Sequence, residues 1–140
     1  MRSHGIVYVS EATVNLSEPA LVTLLKQARI EHQRADLTGL LLYCEGRFLQ
    51  VMEGPETALR EFFSRVAADP RHCKLQKLAD GPKPQRDFAD WHMSFACACP
   101  EQYRQFPQFL DLRQLQELVE PTPIAHILRE FLAESHVPLH

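Results

Sequence analysis

The chain has 140 residues, which points to a single domain. A chain of this size buries about two thirds of its unfolded surface, so it needs neither disulfide nor metal to hold together. With 45% hydrophobic and 24% charged residues and a formal charge of −3, it reads as an ordinary globular protein, and a broad basic field for nucleic acid is excluded.

Gly5–Ser10 is a short β-rich run and reads as the first strand. Ser17 can cap a helix, and Glu18 and Pro19 suit its first turn. Leu21, Leu24, Leu25 and Ala28 follow at helical spacing, so the first helix runs from about Glu18 to about Gln33. Thr38–Cys44 is almost free of polar residues, as a strand covered on both faces should be. Glu45-Gly46 turns the chain, and Arg47–Glu53 returns as the third element of the sheet. Gly54-Pro55 opens a second helix with the stripe Leu59, Phe62, Phe63 and Val66, and Asp69-Pro70 ends it. Lys74–Leu78 is a weak fourth strand, 81–84 a turn-rich connection, and Trp91–Cys97 a fifth strand. Asp111–Val119 and Ile124–Leu132 are two short amphipathic helices separated by Pro121 and Pro123. They are too short to stand alone and must pack on the sheet or on a partner.

This order predicts an α+β fold: a ferredoxin-like βαββαββ sandwich with two helices on one face of a five-stranded mixed sheet. Residues 1–99 form that unit, and 100–140 a C-terminal helical extension. No apolar run is long enough for a membrane span, and no basic-then-apolar leader opens the chain, so a cytoplasmic protein with reduced cysteines is expected. Cys97-x-Cys99 is too closely spaced for the usual zinc ligand pair, so no metal is expected. The sequence has no Gly-rich phosphate loop, no metal triad and no persuasive nucleophile–base pair, so it does not read as an enzyme.

The informative residues are polar ones on faces that periodicity turns inward. Phe48, Gln50 and Met52 share a face, as do Ile6, Tyr8 and Ser10. Glu31 and His32 continue the apolar stripe of the first helix, and Arg65 and Asp69 stand four residues apart beside Val66. A buried Tyr and a buried Gln each need partners. They either satisfy one another in a core, or they face the polar edge of a flat ligand in a pocket walled by Leu21, Leu24, Leu25 and Leu37.

In several stretches the chain resembles the BLUF domain, a flavin-binding blue-light sensor module. These are residues 6–10, Asp36–Tyr43, Gly46–Gly54, 69–72 and 88–93, which fall in register over residues 5 to about 97. The resemblance implies a non-covalently bound FAD between the two helices, with Tyr8, Leu24, Glu31, His32, Leu37, Gln50, Arg65 and Asp69 around it. By the same resemblance Tyr8 is the photochemical electron donor and Gln50 the proton relay, whose hydrogen bonds rearrange. Trp91 and Met93 match positions that pass the change to an output, through self-association or a separate protein partner. One departure stands out: the family usually carries two asparagines where this chain has Glu31 and His32. A carboxylate accepts from the flavin N3–H but repels the neighbouring carbonyl, and burying it unpaired is costly. Glu31 is therefore paired, with Arg65 the nearest candidate, or protonated, or the site has lost its flavin. In that last case the chain is a light-independent interaction module of the same fold.

Overall fold

The computed structural model describes residues 3–13, 18–44, 46–70, 72–89, 94–97 and 109–134. Its elements are β1 (Ser3–Ala12), α1 (Glu18–Ala35), β2 (Thr38–Cys44), β3 (Arg47–Gly54), α2 (Glu56–Ala68), β4 (His72–Lys83), β5 (Ser94–Cys97), β6 (Phe109–Leu110), α3 (Leu112–Val119) and α4 (Ala125–Glu134). The strands form one sheet in the order β4-β1-β3-β2-β5-β6. The first four are antiparallel, while β5 runs parallel to β2 and β6 parallel to β5.

The fold is α+β and the sheet mixed as expected, but the described residues place six strands in it rather than five. The addition, β6, is two residues long and carries no periodicity from which it could have been read. The fourth strand is also longer than its sequence suggests, since β4 runs through Gly81 and Pro82 to Lys83. Proline interrupts a central strand but not an edge strand, and β4 is an edge, paired on one side only, with β1. The register with β1 shifts between Val7 and Tyr8 and again between Val9 and Glu11, which twists this edge.

The alternation of side chains divides the protein into two cores. Val7, Leu40, Leu42, Leu49 and Val51 face α3 and α4 and pack with Leu115, Val119, Leu128 and Phe131. Ile6, Tyr8, Leu41, Phe48 and Met52 face α1 and α2 and pack with Leu21, Leu25, Leu59 and Phe62. β2, β3 and the middle of β1 are therefore covered on both faces, which is why β2 has so few polar residues. Asp111 starts α3 with a reciprocal cap: its carboxylate accepts from the Gln114 N–H, and the Gln114 side chain accepts from the Asp111 N–H. No helix among the described residues is long and apolar enough to cross a membrane.

Glu53, at the end of β3, ties the central sheet to the chain that leads toward β5. Its carboxylate is fully buried and accepts from the backbone N–H groups of Asp87 and Phe88, each at 2.8 Å, while Lys83 Nζ lies 2.9 Å away. Glu53→Ala strands both N–H groups, one of them in a fully buried residue. The expected loss is roughly 3 kcal/mol of stability, read as a lower urea midpoint at unchanged slope. A loss well under 1 kcal/mol would mean that water replaces the carboxylate.

Candidate functional site

Tyr8 and Gln50 are direct cross-strand partners in the β1–β3 ladder. Both side chains point to the α1/α2 side, and both are buried. The Tyr8 hydroxyl donates to Gln50 Oε1. The Tyr8 ring also meets Phe63 of α2 edge to face, with centroids 5.5 Å apart. Burial pushes the Tyr8 phenol far above the ordinary tyrosine range, because a phenolate would lose its hydration there.

Above this pair a cleft of about 120 Å³ opens between α1 and α2. Tyr8 and Gln50 form its polar floor, and Leu24, Ala28, Leu41, Phe48 and Val66 give it apolar walls. Glu31, Arg65 and Asp69 stand along it as charged groups. The structure thus brings Tyr8, Leu24, Glu31, Gln50, Arg65 and Asp69 to one place. Leu21 and Leu25 do not line the cleft; they are buried with Leu41 and Phe48 beneath it. Leu37 lies in the core cluster that holds Tyr8. It follows the end of α1, and its backbone N–H returns to the His32 carbonyl at 2.8 Å.

Glu31 and His32 part company. Both were expected on the inward stripe, but only His32 is buried, with no accessible surface. The Glu31 side chain keeps 45% of its accessibility and lies 3.9 Å from Arg65 Nη1, itself exposed. At a helix step of about 100° per residue, neighbours cannot both face inward, and the longer charged side chain takes the rim. The cost of a buried carboxylate therefore does not arise. His32 packs edge to face against Phe62 of α2, with centroids 4.7 Å apart. Its Nε2 lies 3.5 Å from Gln50 Nε2, at the long end of hydrogen bonding. Phe62 and Phe63, which sequence periodicity reads only as core stripe, are the ring contacts that seat His32 and Tyr8. Trp91 and Met93 lie outside the described residues. Among the described residues no group of three acidic, His or Cys side chains could hold a metal ion.

A model of the BLUF family, described as sensors of blue-light using FAD, matches residues 4–94. The chain belongs to the BLUF family. Photoactivated adenylate cyclase subunit beta of Euglena gracilis is 33% identical over 90 residues, which cover 63% of this chain and 10% of that protein. The chain thus spans about a tenth of the length of that curated relative. Among solved structures, the dark state of the BLUF protein BlrB superimposes with a TM-score of 0.69 at 27% identity, over 95% of this chain and 97% of that one. Klebsiella pneumoniae BlrP1 with FMN and cyclic diGMP gives a TM-score of 0.72 at 25% identity, over 94% of this chain and 34% of that one. This BLUF chain is accordingly a sensor module rather than an enzyme, and its family uses FAD.

The residues present fit a flavin. The cleft has the composition of small-molecule sites, apolar walls with a few polar groups that fix orientation. Gln50 offers both an amide donor and a carbonyl acceptor to a ring edge.

The raised Tyr8 pKa has a measurable consequence. Below about pH 10 the phenol is neutral both folded and unfolded, and its burial carries no titration penalty. Above that value the unfolded tyrosine loses its proton while folded Tyr8 keeps it, so stability falls as pH rises. Wild type should lose about 1.4 kcal/mol per pH unit above about pH 10 relative to Tyr8→Phe, measured as the pH dependence of the denaturant midpoint. Parallel curves for the two proteins would place Tyr8 in contact with water.

Proposed function

We infer that this chain is a blue-light receptor that binds FAD non-covalently in the α1/α2 cleft, with Tyr8 and Gln50 as its photochemical pair. The observation that carries this reading is the buried Tyr8–Gln50 hydrogen bond on the floor of an apolar cleft. Leu24 and Ala28 on one side and Phe62 and Val66 on the other would sandwich the ring. Gln50, Arg65 and Asp69 would meet its polar edges, Glu31 would stay at the rim, and His32, buried outside the cleft lining, would act from behind Gln50. When bound, the flavin supplies absorption of blue light and an excited state that accepts an electron.

The chain's own residues supply the rest. Tyr8 is an oxidisable phenol, held neutral by burial. Once it gives up an electron, its hydroxyl becomes a strong acid, and Gln50 Oε1 stands ready to accept the proton. A primary amide presents a donor at one end and an acceptor at the other, so Gln50 can exchange its partners by rotation at nearly constant shape. Phe63 and the β1 backbone keep Tyr8 in place through such a cycle, so its proton returns by the same path.

The output belongs to this proposal as well. Residues 1–99 serve as the sensor and 100–140 as a C-terminal extension, whose helices α3 and α4 cover the opposite face of the sheet. The described part of that extension packs on Leu40, Leu42, Leu49 and Val51, the strands that carry Gln50 and its neighbours. Trp91 and Met93 would pass the change along β5, to a second copy or to a separate cytoplasmic protein. The match to only a tenth of a cyclase subunit fits a sensor whose effector can be built in or supplied separately.

Purified protein loaded with FAD should show a small, reversible red shift of the flavin spectrum in blue light. Tyr8→Phe should keep the flavin and lose the shift; normal cycling of that variant would remove Tyr8 from the role of donor. Because Glu31 is solvated, Glu31→Asn should change the FAD dissociation constant by no more than about fivefold, or ~1 kcal/mol, in equilibrium titration. A much larger gain would mean that the carboxylate opposes the bound flavin directly.

A further inference from the structure

His32 stands behind Gln50, buried and outside the cleft lining, and the chemistry of that contact is one-sided. An amide nitrogen donates and does not accept. Gln50 Nε2 faces His32 Nε2 at 3.5 Å, so the imidazole nitrogen there must accept and carries no proton. The ring is then neutral, with its proton on Nδ1. Gln50 Oε1, at the other end of the amide, is thereby turned to the Tyr8 hydroxyl. The three side chains form a directed chain, in which Tyr8 donates to Gln50 and Gln50 donates to His32.

We propose that His32 is a positioning residue that selects which end of the Gln50 amide faces Tyr8, and that protonating His32 reverses the amide in the dark. This rests on the photoreceptor reading for its consequence, though not for its geometry. An imidazolium donates from both nitrogens, so Nε2 can no longer receive the Gln50 N–H. A half-turn of the amide brings Oε1 to His32 and Nε2 to Tyr8. That turn exchanges groups of nearly equal size, and the walls around it need not move. Tyr8 then faces a donor, and the acceptor for its proton is gone. The dark protein would hold the rearranged amide without having absorbed light, and its photoreaction would be switched off.

The surroundings permit a second state but do not swamp the choice. His32 has no accessible surface, and its ring lies edge-on to Phe62. On its own helix the neighbouring charges are Arg29, half-buried one turn before it, and Glu31, held near Arg65 of α2. Arg65 also lies over the Phe62 ring, 5.6 Å from its centre. Asp69 is the further carboxylate of α2 on the cleft, Tyr8 the titratable group of β1, and β3 presents the neutral Gln50 amide. One cation and two carboxylates thus stand around the cleft. The sequence feature that creates the device is the imidazole itself, since an amide such as asparagine at this position could not change its proton count.

The first test needs no flavin. Nitrogen NMR of the imidazoles in the full-length protein, with His32→Asn to assign the signal, should find His32 as the Nδ1–H tautomer at pH 8. The Nε2–H tautomer would overturn the proposal. The second test lowers the pH of the FAD-loaded protein from 8 while the His32 nitrogen signals report its protonation. The fraction photoconverted should fall about tenfold one pH unit below the His32 midpoint, with bound FAD unchanged in the same samples. In His32→Asn, FAD should remain bound and the photoconversion should not depend on pH. A flat profile in the wild type, or an equal fall in His32→Asn, would refute the switch. Absence of any light response in either protein at pH 8, with the expected tautomer present, would instead count against the photoreceptor reading and leave the amide assignment standing.

Discussion

The arrangement depends on the register of β1 against β3. Tyr8 lies opposite Gln50, and Ile6 opposite Met52. A slip by one residue would turn one of the pair, Tyr8 or Gln50, into the apolar core beneath α3 and α4 and leave the other on the cleft side, so that neither finds its partner. The neighbouring strand helps to prevent such a slip. Gly39 has φ +147°, and a Cβ there would come within 1.8 Å of the Val51 carbonyl oxygen. β2 therefore closes on β3 only where a glycine meets Val51. Gly46, with φ +77°, sets the turn that delivers β3 in this register.

Because the same strands carry both cores, the two faces of the sheet are mechanically joined but chemically distinct. The α3/α4 face is a continuous apolar cluster running from Val7 to Leu132. The α1/α2 face is interrupted, with two smaller clusters on either side of the cleft floor. Gln50 lies between Leu49 and Val51, both of which point into the larger core. Glu53, three residues on, holds the backbone of Asp87 and Phe88. β3 thus touches the cleft, the C-terminal helices and the segment leading toward β5.

Electrostatics at the site works by position more than by strength. Glu31 and Arg65 are both exposed and 3.9 Å apart, the kind of pair that contributes at most about 1 kcal/mol. Tyr8, Gln50 and His32 are buried, and a change of charge there carries more weight because no water is at hand to compensate it.

Much of this was legible in the chain itself. Alternation along 6–10 and 47–53 put Tyr8 and Gln50 on faces that must be buried. Helical spacing placed Leu59, Phe62, Phe63 and Val66 on one stripe, and Pro55 and Asp69 bracketed that helix, because such signals are local and act over three or four residues. What distance along the chain conceals was decided only by the fold. The pairing of β1 with β4 carried a strand through Gly81 and Pro82, where local propensity reads a turn, because an edge position spares proline its missing donor. The two residues of β6 became a strand only because β5 was there to pair with them. Periodicity assigned Glu31 and His32 together to the inward stripe; packing against Phe62 selected His32 and left Glu31 in water. The direction of the Tyr8–Gln50–His32 chain arises where β1, β3 and α1 meet, since a hydrogen bond's donor and acceptor are settled by the groups around it and not by their order in sequence.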